Sequence, residues 1–129
     1  MHARYDWRWG LLARYAEIER IGVGDRMSQC VKHGGTCYLS GMVAQKAPST
    51  SITEQTKSTL ADIEALLVEA GTNKGNLLTA QIWLTDIGDF DEFNAVWDAW
   101  VVPGAAPVRA CVGAHLAQFN SMVDVPQHR

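Results

Sequence analysis

The chain has 129 residues, enough to bury one real core and too few for two domains. With 47% apolar and 19% charged residues and a net charge of −3, it has the composition of a soluble globular domain and no global pull toward phosphate backbones. No apolar run approaches the roughly 20 residues of a membrane-spanning helix, and the opening lacks the apolar block and cleavage site of a secretory signal, so cytoplasmic residence is the expectation.

Residues 1–16 read as an N-terminal extension in which Tyr5, Trp7, Trp9, Leu11, Leu12 and Tyr15 mix with Arg4, Arg8 and Arg14. Aromatics left in water are a liability. The segment is therefore expected to dock on the domain or on a neighbouring subunit, with a loosely ordered tail as the alternative. A single domain follows over 17–129. The run "EIERIGV" (17–23) alternates as a strand does. "SQCVKH" (28–33) and "TCYLSG" (36–41) are two further strands joined by Gly34 and Gly35, a hairpin signal. A helix is predicted over about 52–70. Ser51 and Glu54 form a capping box at its start, and Gly71 supplies a residue free of Cβ at its end. Between them Ile52, Thr56, Leu60, Ile63, Leu67 and Ala70 share one face.

"LLTAQIWL" (77–84) is a strand with apolar residues on both faces. Asp89 and Glu92 repeat the cap spacing and start a second helix that runs to about Trp100. Its stripe of Phe90, Phe93, Val96, Trp97 and Trp100 reads as core packing rather than a cofactor site. Pro103 and Pro107 end that helix and lead to a strand at 107–114, and a last strand covers about 121–125. The order βββαβαββ places two helices on one face of a mixed sheet, a two-layer α+β arrangement. On the strand at 107–114, Val108, Ala110, Val112 and Ala114 share one face, and Arg109, Cys111 and Gly113 share the other. That second, semi-polar face is the one expected to carry oligomer contacts.

Cys30, Cys37 and Cys111 show no CxxC spacing and read as reduced, mostly buried thiols. His2, His33, His115 and His128 form no HxH or HExxH pattern, so neither a metal site nor a cofactor is expected. Arg109 is the residue that asks for a role: a surface cation, a structural ion-pair partner, or the anchor of a binding site.

The runs "YLSG" (38–41), "EQTKSTLADIEALLVEAG" (54–71), "DIGDFDEFNAVWDAW" (86–100) and "APVRACV" (106–112), in this order and spacing, resemble the RidA family, also called YjgF or endoribonuclease L-PSP. "WDAWVVPGAAPVR" is similar to the YoaB-like branch of that family. The resemblance implies a chorismate-mutase-like α+β fold and a homotrimer whose three sheets line a central barrel, with a pocket at each subunit interface. It also implies binding of small carboxylates, and hydrolysis of reactive 2-imino or 2-enamino acids to 2-oxo acids and ammonia. Carried over residue by residue, Arg109 matches the carboxylate-binding arginine of a P-x-R motif, Ser40 a pocket hydroxyl, and Cys111 a position whose backbone contacts ligand. Asp124 stands where the deaminase pattern has a water-holding glutamate, one methylene longer. Met27 stands where the pattern has a tyrosine, so a hydroxyl is lost and one pocket wall is changed.

The chemistry asks little of a site. A guanidinium offers a carboxylate two parallel N–H donors, which a lysine cannot reproduce. A second carboxylate can orient water and accept a proton. The alternatives are a structural Arg109–Asp124 ion pair, and a Ser40 hydroxyl that serves only a strand end. At the level of function, a deaminase stands against a non-catalytic, regulatory trimer that binds a 2-oxo acid or another carboxylate. An endoribonuclease is disfavoured by the acidic net charge and by the lack of a basic strand interleaved with aromatics.

Overall fold

In the computed structural model, residues 16–44 and 50–116 are described, together with the backbone of 123–124 and 127–128. The extension expected over 1–16 lies, except for Ala16, outside the described residues. The elements in chain order are β1 (Glu19–Val23), β2 (Ser28–His33), β3 (Thr36–Leu39), α1 (Ile52–Glu69), β4 (Thr79–Leu84), α2 (Phe90–Trp100), β5 (Val108–Gly113), β6 (Val123–Asp124) and β7 (Gln127–His128). The sheet runs β1-β2-β3-β7-β4-β5, with β6 also on β4. Among the described residues only the β4–β5 pairing is parallel. This is the mixed-sheet α+β fold expected from the element order.

The local signals act as their chemistry requires. Gly34 and Gly35 have φ of +59° and +77°, the two left-handed residues of a type I′ turn, which matches the twist of β2 and β3. The Ser51 hydroxyl accepts the Glu54 N–H at 3.2 Å, and α1 closes on Gly71 at φ +86°. There the Thr72 N–H reaches the Leu67 carbonyl and the Gly71 N–H reaches that of Val68, so the last turn leaves few free acceptors. The apolar face of α1 (Ile52, Leu60, Ile63 and Leu67) is buried against Cys30, Leu39, Ile82 and Leu84 of the sheet and Phe93 of α2. Each such side chain contributes roughly 1.5–3 kcal/mol on burial.

Three expectations change. Asp89 makes no side-chain cap on α2. Instead Asp86 caps the preceding turn at the Gly88 N–H, and Glu92 accepts the backbone N–H and hydroxyl of Thr53 at 3.2 and 2.8 Å. The carboxylate expected to close its own helix thus satisfies a free donor at the start of α1. The single last strand appears as β6 and β7, which continue one register along β4: Trp83 opposite Asp124, then Ala80 opposite Gln127 and Thr79 opposite His128.

The third correction concerns the faces of the sheet. Ala80, Ile82 and Leu84 are buried under the helices, and their neighbours on β5 are Arg109, Cys111 and Gly113. The semi-polar face of β5 is therefore the helix-covered one. The apolar face lies open, with Val108 71% and Val112 43% exposed in the single chain. The parity is set by the register with β4, which buries every second residue regardless of what β5 carries.

Candidate functional site

The site is built where the edge strand β5 runs beneath α2. Parallel pairing sets Arg109 beside Ala80, whose small side chain leaves the guanidinium room to lie across the helix-facing side. Phe90, Phe93 and Trp97 recur at spacings of three and four and so share one face of α2. The Arg109 guanidinium carbon stands 5.3 Å from the centre of the Trp97 ring, 5.9 Å from that of Phe93 and 6.0 Å from that of Phe90. The Phe93 and Trp97 rings stack at 6.2 Å with 26° between their planes. Phe93 and Trp97 are core residues, whereas Phe90 is 39% exposed at the rim.

The electrostatics are unusual. Arg109 Nη1 is buried with no hydrogen-bond partner. Ring faces attract a cation by about 0.5–2 kcal/mol, but they carry no formal charge and accept no strong hydrogen bond. Removing a charge from water costs several kcal/mol. A guanidinium held by rings therefore keeps a donor unspent for an incoming anion.

Cys111 lies two residues along the same strand face and packs against the hydrophobic core. Burial pushes its thiol up, and the nearby Arg109 charge pulls it partly back. Cys30 is pushed up to about 11 by burial and by its neighbour Cys37. Raised thiols hold less thiolate and are poor nucleophiles. Iodoacetamide is thus expected to alkylate Cys111 more slowly in the folded protein than in the urea-unfolded chain at pH 8. Equal labelling rates by mass spectrometry would contradict this.

The remaining sequence candidates do not meet Arg109 within one chain. Ser40 follows β3, where its hydroxyl donates to Gln29 Oε1 at 3.3 Å and its N–H to the Gln29 carbonyl at 2.9 Å. Met27 is 48% exposed beside the β1–β2 turn and borders an open depression of about 590 Å³ with Gly22 and Asp25. Both sit toward the β1–β2 edge, and β5 forms the opposite edge. The Asp124 side chain lies outside the described residues, but its backbone is placed opposite Trp83 on the far side of β4 from β5. Two strands across and three residues along put Arg109 and Asp124 about 14 Å apart, at ~4.8 Å per strand and ~3.3 Å per residue. That is too far for a tight ion pair within one chain. On the open face, a depression of about 570 Å³ along β4 and β5 is bordered by Thr79, Gln81, Trp83, Val108 and Ala110.

Phe90, Phe93 and Trp97 were legible in the sequence only as core. The signal that joins them to Arg109 is a lone arginine on a strand that follows an aromatic helix face. It becomes specific only once the pairing is known. Among the described residues, no three His, Cys, Asp or Glu side chains stand together as a metal cluster, and no helix is long and apolar enough to cross a membrane.

Residues 17–126 match the family model described as endoribonuclease L-PSP. The chain is similar to the RutC family protein YoaB of Escherichia coli, 43% identical over 108 residues that cover 84% of this chain and 93% of the relative. A RutC family protein of Haemophilus influenzae is 39% identical over the same shares. Among solved structures, a YjgF family member from Neisseria meningitidis superposes with a TM-score of 0.85 at 40% identity, covering 88% of this chain and 94% of that one.

Proposed function

Because the chain belongs to the endoribonuclease L-PSP family, which includes the RutC and YjgF proteins, we propose that it hydrolyses reactive 2-imino or 2-enamino acids to 2-oxo acids and ammonia. The observation that carries this reading is the Arg109 guanidinium, held under the aromatic face of α2 with Nη1 buried and unpartnered. A carboxylate would supply the missing charge and acceptor. Docked there, it holds the substrate's electrophilic 2-carbon at a fixed distance from the anchor, and such fixing can lower a barrier by up to ~7–11 kcal/mol. Water then adds its oxygen to that carbon as the C=N π pair moves to nitrogen. Asp124 takes the proton of the adding water and returns one to the amine. The remaining hydroxyl then passes its proton to the amine by way of Asp124 as the carbon–nitrogen bond breaks, so that ammonia leaves and the oxygen's electron pair forms the carbonyl of the 2-oxo acid. Cys111 contributes backbone, and Met27 and Ser40 contribute pocket wall.

This assignment makes the pocket a property of an oligomer. Arg109 stands at one edge of the sheet and Met27 and Ser40 toward the other, which supports a homotrimer in which two neighbours complete each site. The apolar open face, with Val108 and Val112 exposed, supports the sheets as its inner lining. Three free thiols accord with a cytoplasmic location.

The test is direct. An amino-acid oxidase generates 2-iminopropanoate in situ, and the protein is expected to speed its decay to pyruvate and ammonia. No acceleration over buffer across several 2-imino acids would overturn the deaminase assignment. Pyruvate binding without turnover would favour the second reading, a regulatory carboxylate-binding trimer. That reading draws on Met27, which carries no hydroxyl, and on Ser40, whose hydroxyl is engaged by Gln29. RNA cleavage, which the family description names, is disfavoured by the net charge of −3.

A further inference from the structure

We propose that Trp97, with Phe90 at the rim, is a positioning element that keeps Arg109 oriented for carboxylate binding; this rests on the carboxylate-pocket reading above. An arginine with a flexible stem would ordinarily be oriented by an acidic partner, and that partner would neutralise it and compete with any incoming anion. Here the orienting contacts are three ring faces from one side of α2, at 5.3, 5.9 and 6.0 Å. They restrict where the guanidinium can lie without spending its charge or its Nη1 donor. They also wall the guanidinium with apolar material, which strengthens a hydrogen bond made on its open side. Ordering the cation before the ligand arrives removes that cost from the binding step.

Phe93 and Trp97 belong to the core, whereas Phe90 is partly exposed, so the effect of the rings can be separated from that of packing. The variants are Trp97→Leu, Trp97→Phe and Phe90→Leu, with pyruvate as the probe in calorimetric titration. Trp97→Leu is expected to weaken pyruvate binding about tenfold and Phe90→Leu about threefold, while Trp97→Phe stays near the parent. In imine hydrolysis KM rises by the same factors and kcat is unchanged. In the ligand-free protein, the upfield ring-current shift of the Arg109 side-chain protons shrinks in the leucine variants and persists in Trp97→Phe. A merely structural role would lower the melting temperature without moving KM or the pyruvate affinity. Should Trp97→Leu fail to fold, Phe90→Leu decides. Leucine variants that bind pyruvate as well as the parent overturn the positioning role alone. A parent that binds no 2-oxo acid overturns the carboxylate reading itself, and the positioning role with it.

Discussion

Arg109→Met is expected to abolish 2-oxo acid binding and imine hydrolysis while raising the melting temperature. Both effects come from one observation, the buried and unpartnered Nη1 beside three rings. Truncating one partner of a desolvated charge pair costs about 2–5 kcal/mol, or roughly 30- to 4,000-fold in affinity. In the free protein the balance runs the other way. An unmade hydrogen bond at a buried donor costs about 1–3 kcal/mol. Methionine removes that donor and keeps favourable sulfur contacts with Phe90, Phe93 and Trp97, worth about 0.3–1.5 kcal/mol each. The lost cation–ring attraction offsets part of the gain, leaving about 1 kcal/mol, which corresponds to about 3–5 °C at this chain length. Thermal melting and pyruvate titration on the same variant check the two halves. A melting temperature that falls by this much would make Arg109 a structural residue.

Asp124→Asn should lower kcat by about 100-fold or more with pyruvate binding retained, since an amide can orient water but cannot accept its proton. Asp124→Glu restores the longer reach of the deaminase pattern and should raise kcat, because ~1 Å of misplacement can cost roughly 100-fold. If Asp124→Asn tightened pyruvate binding, the carboxylate would be pairing with the guanidinium and competing with the ligand instead. The separation of Arg109 and Asp124 across β4 adds a sharper expectation. If each pocket takes Arg109 from one chain and Asp124 from the next, the two inactive variants complement each other. Unfolded together at equal amounts and refolded, they should recover about a quarter of parental activity, since half the pockets carry each intact residue. Zero recovery would place both residues in one chain's pocket.

Much of the fold was legible because its signals are local. The α1 cap at Ser51, its closure at Gly71 and the Gly34–Gly35 turn each depend on a few neighbouring residues, and the structure places all three as read. Glu92 shows where local reading stops. Its spacing from Asp89 marked a cap on its own helix, yet its carboxylate reaches Thr53, 39 positions away. The last strand was foreshortened for a similar reason. Its extent follows pairing with β4 rather than any run of apolar residues.

By itself the sequence determined the α+β element order, the family and the identity of Arg109 as the candidate anchor. The element order follows from periodicity and capping chemistry, and the family and the candidate anchor from the resemblance that the motifs carry. Only the tertiary structure decided which way Arg109 faces. The register of β5 against β4 turned it under α2, exposed Val108 and Val112, and set the guanidinium against the aromatic core stripe. Alternation along a strand separates two faces without saying which is covered, because that depends on contacts between residues far apart in the chain.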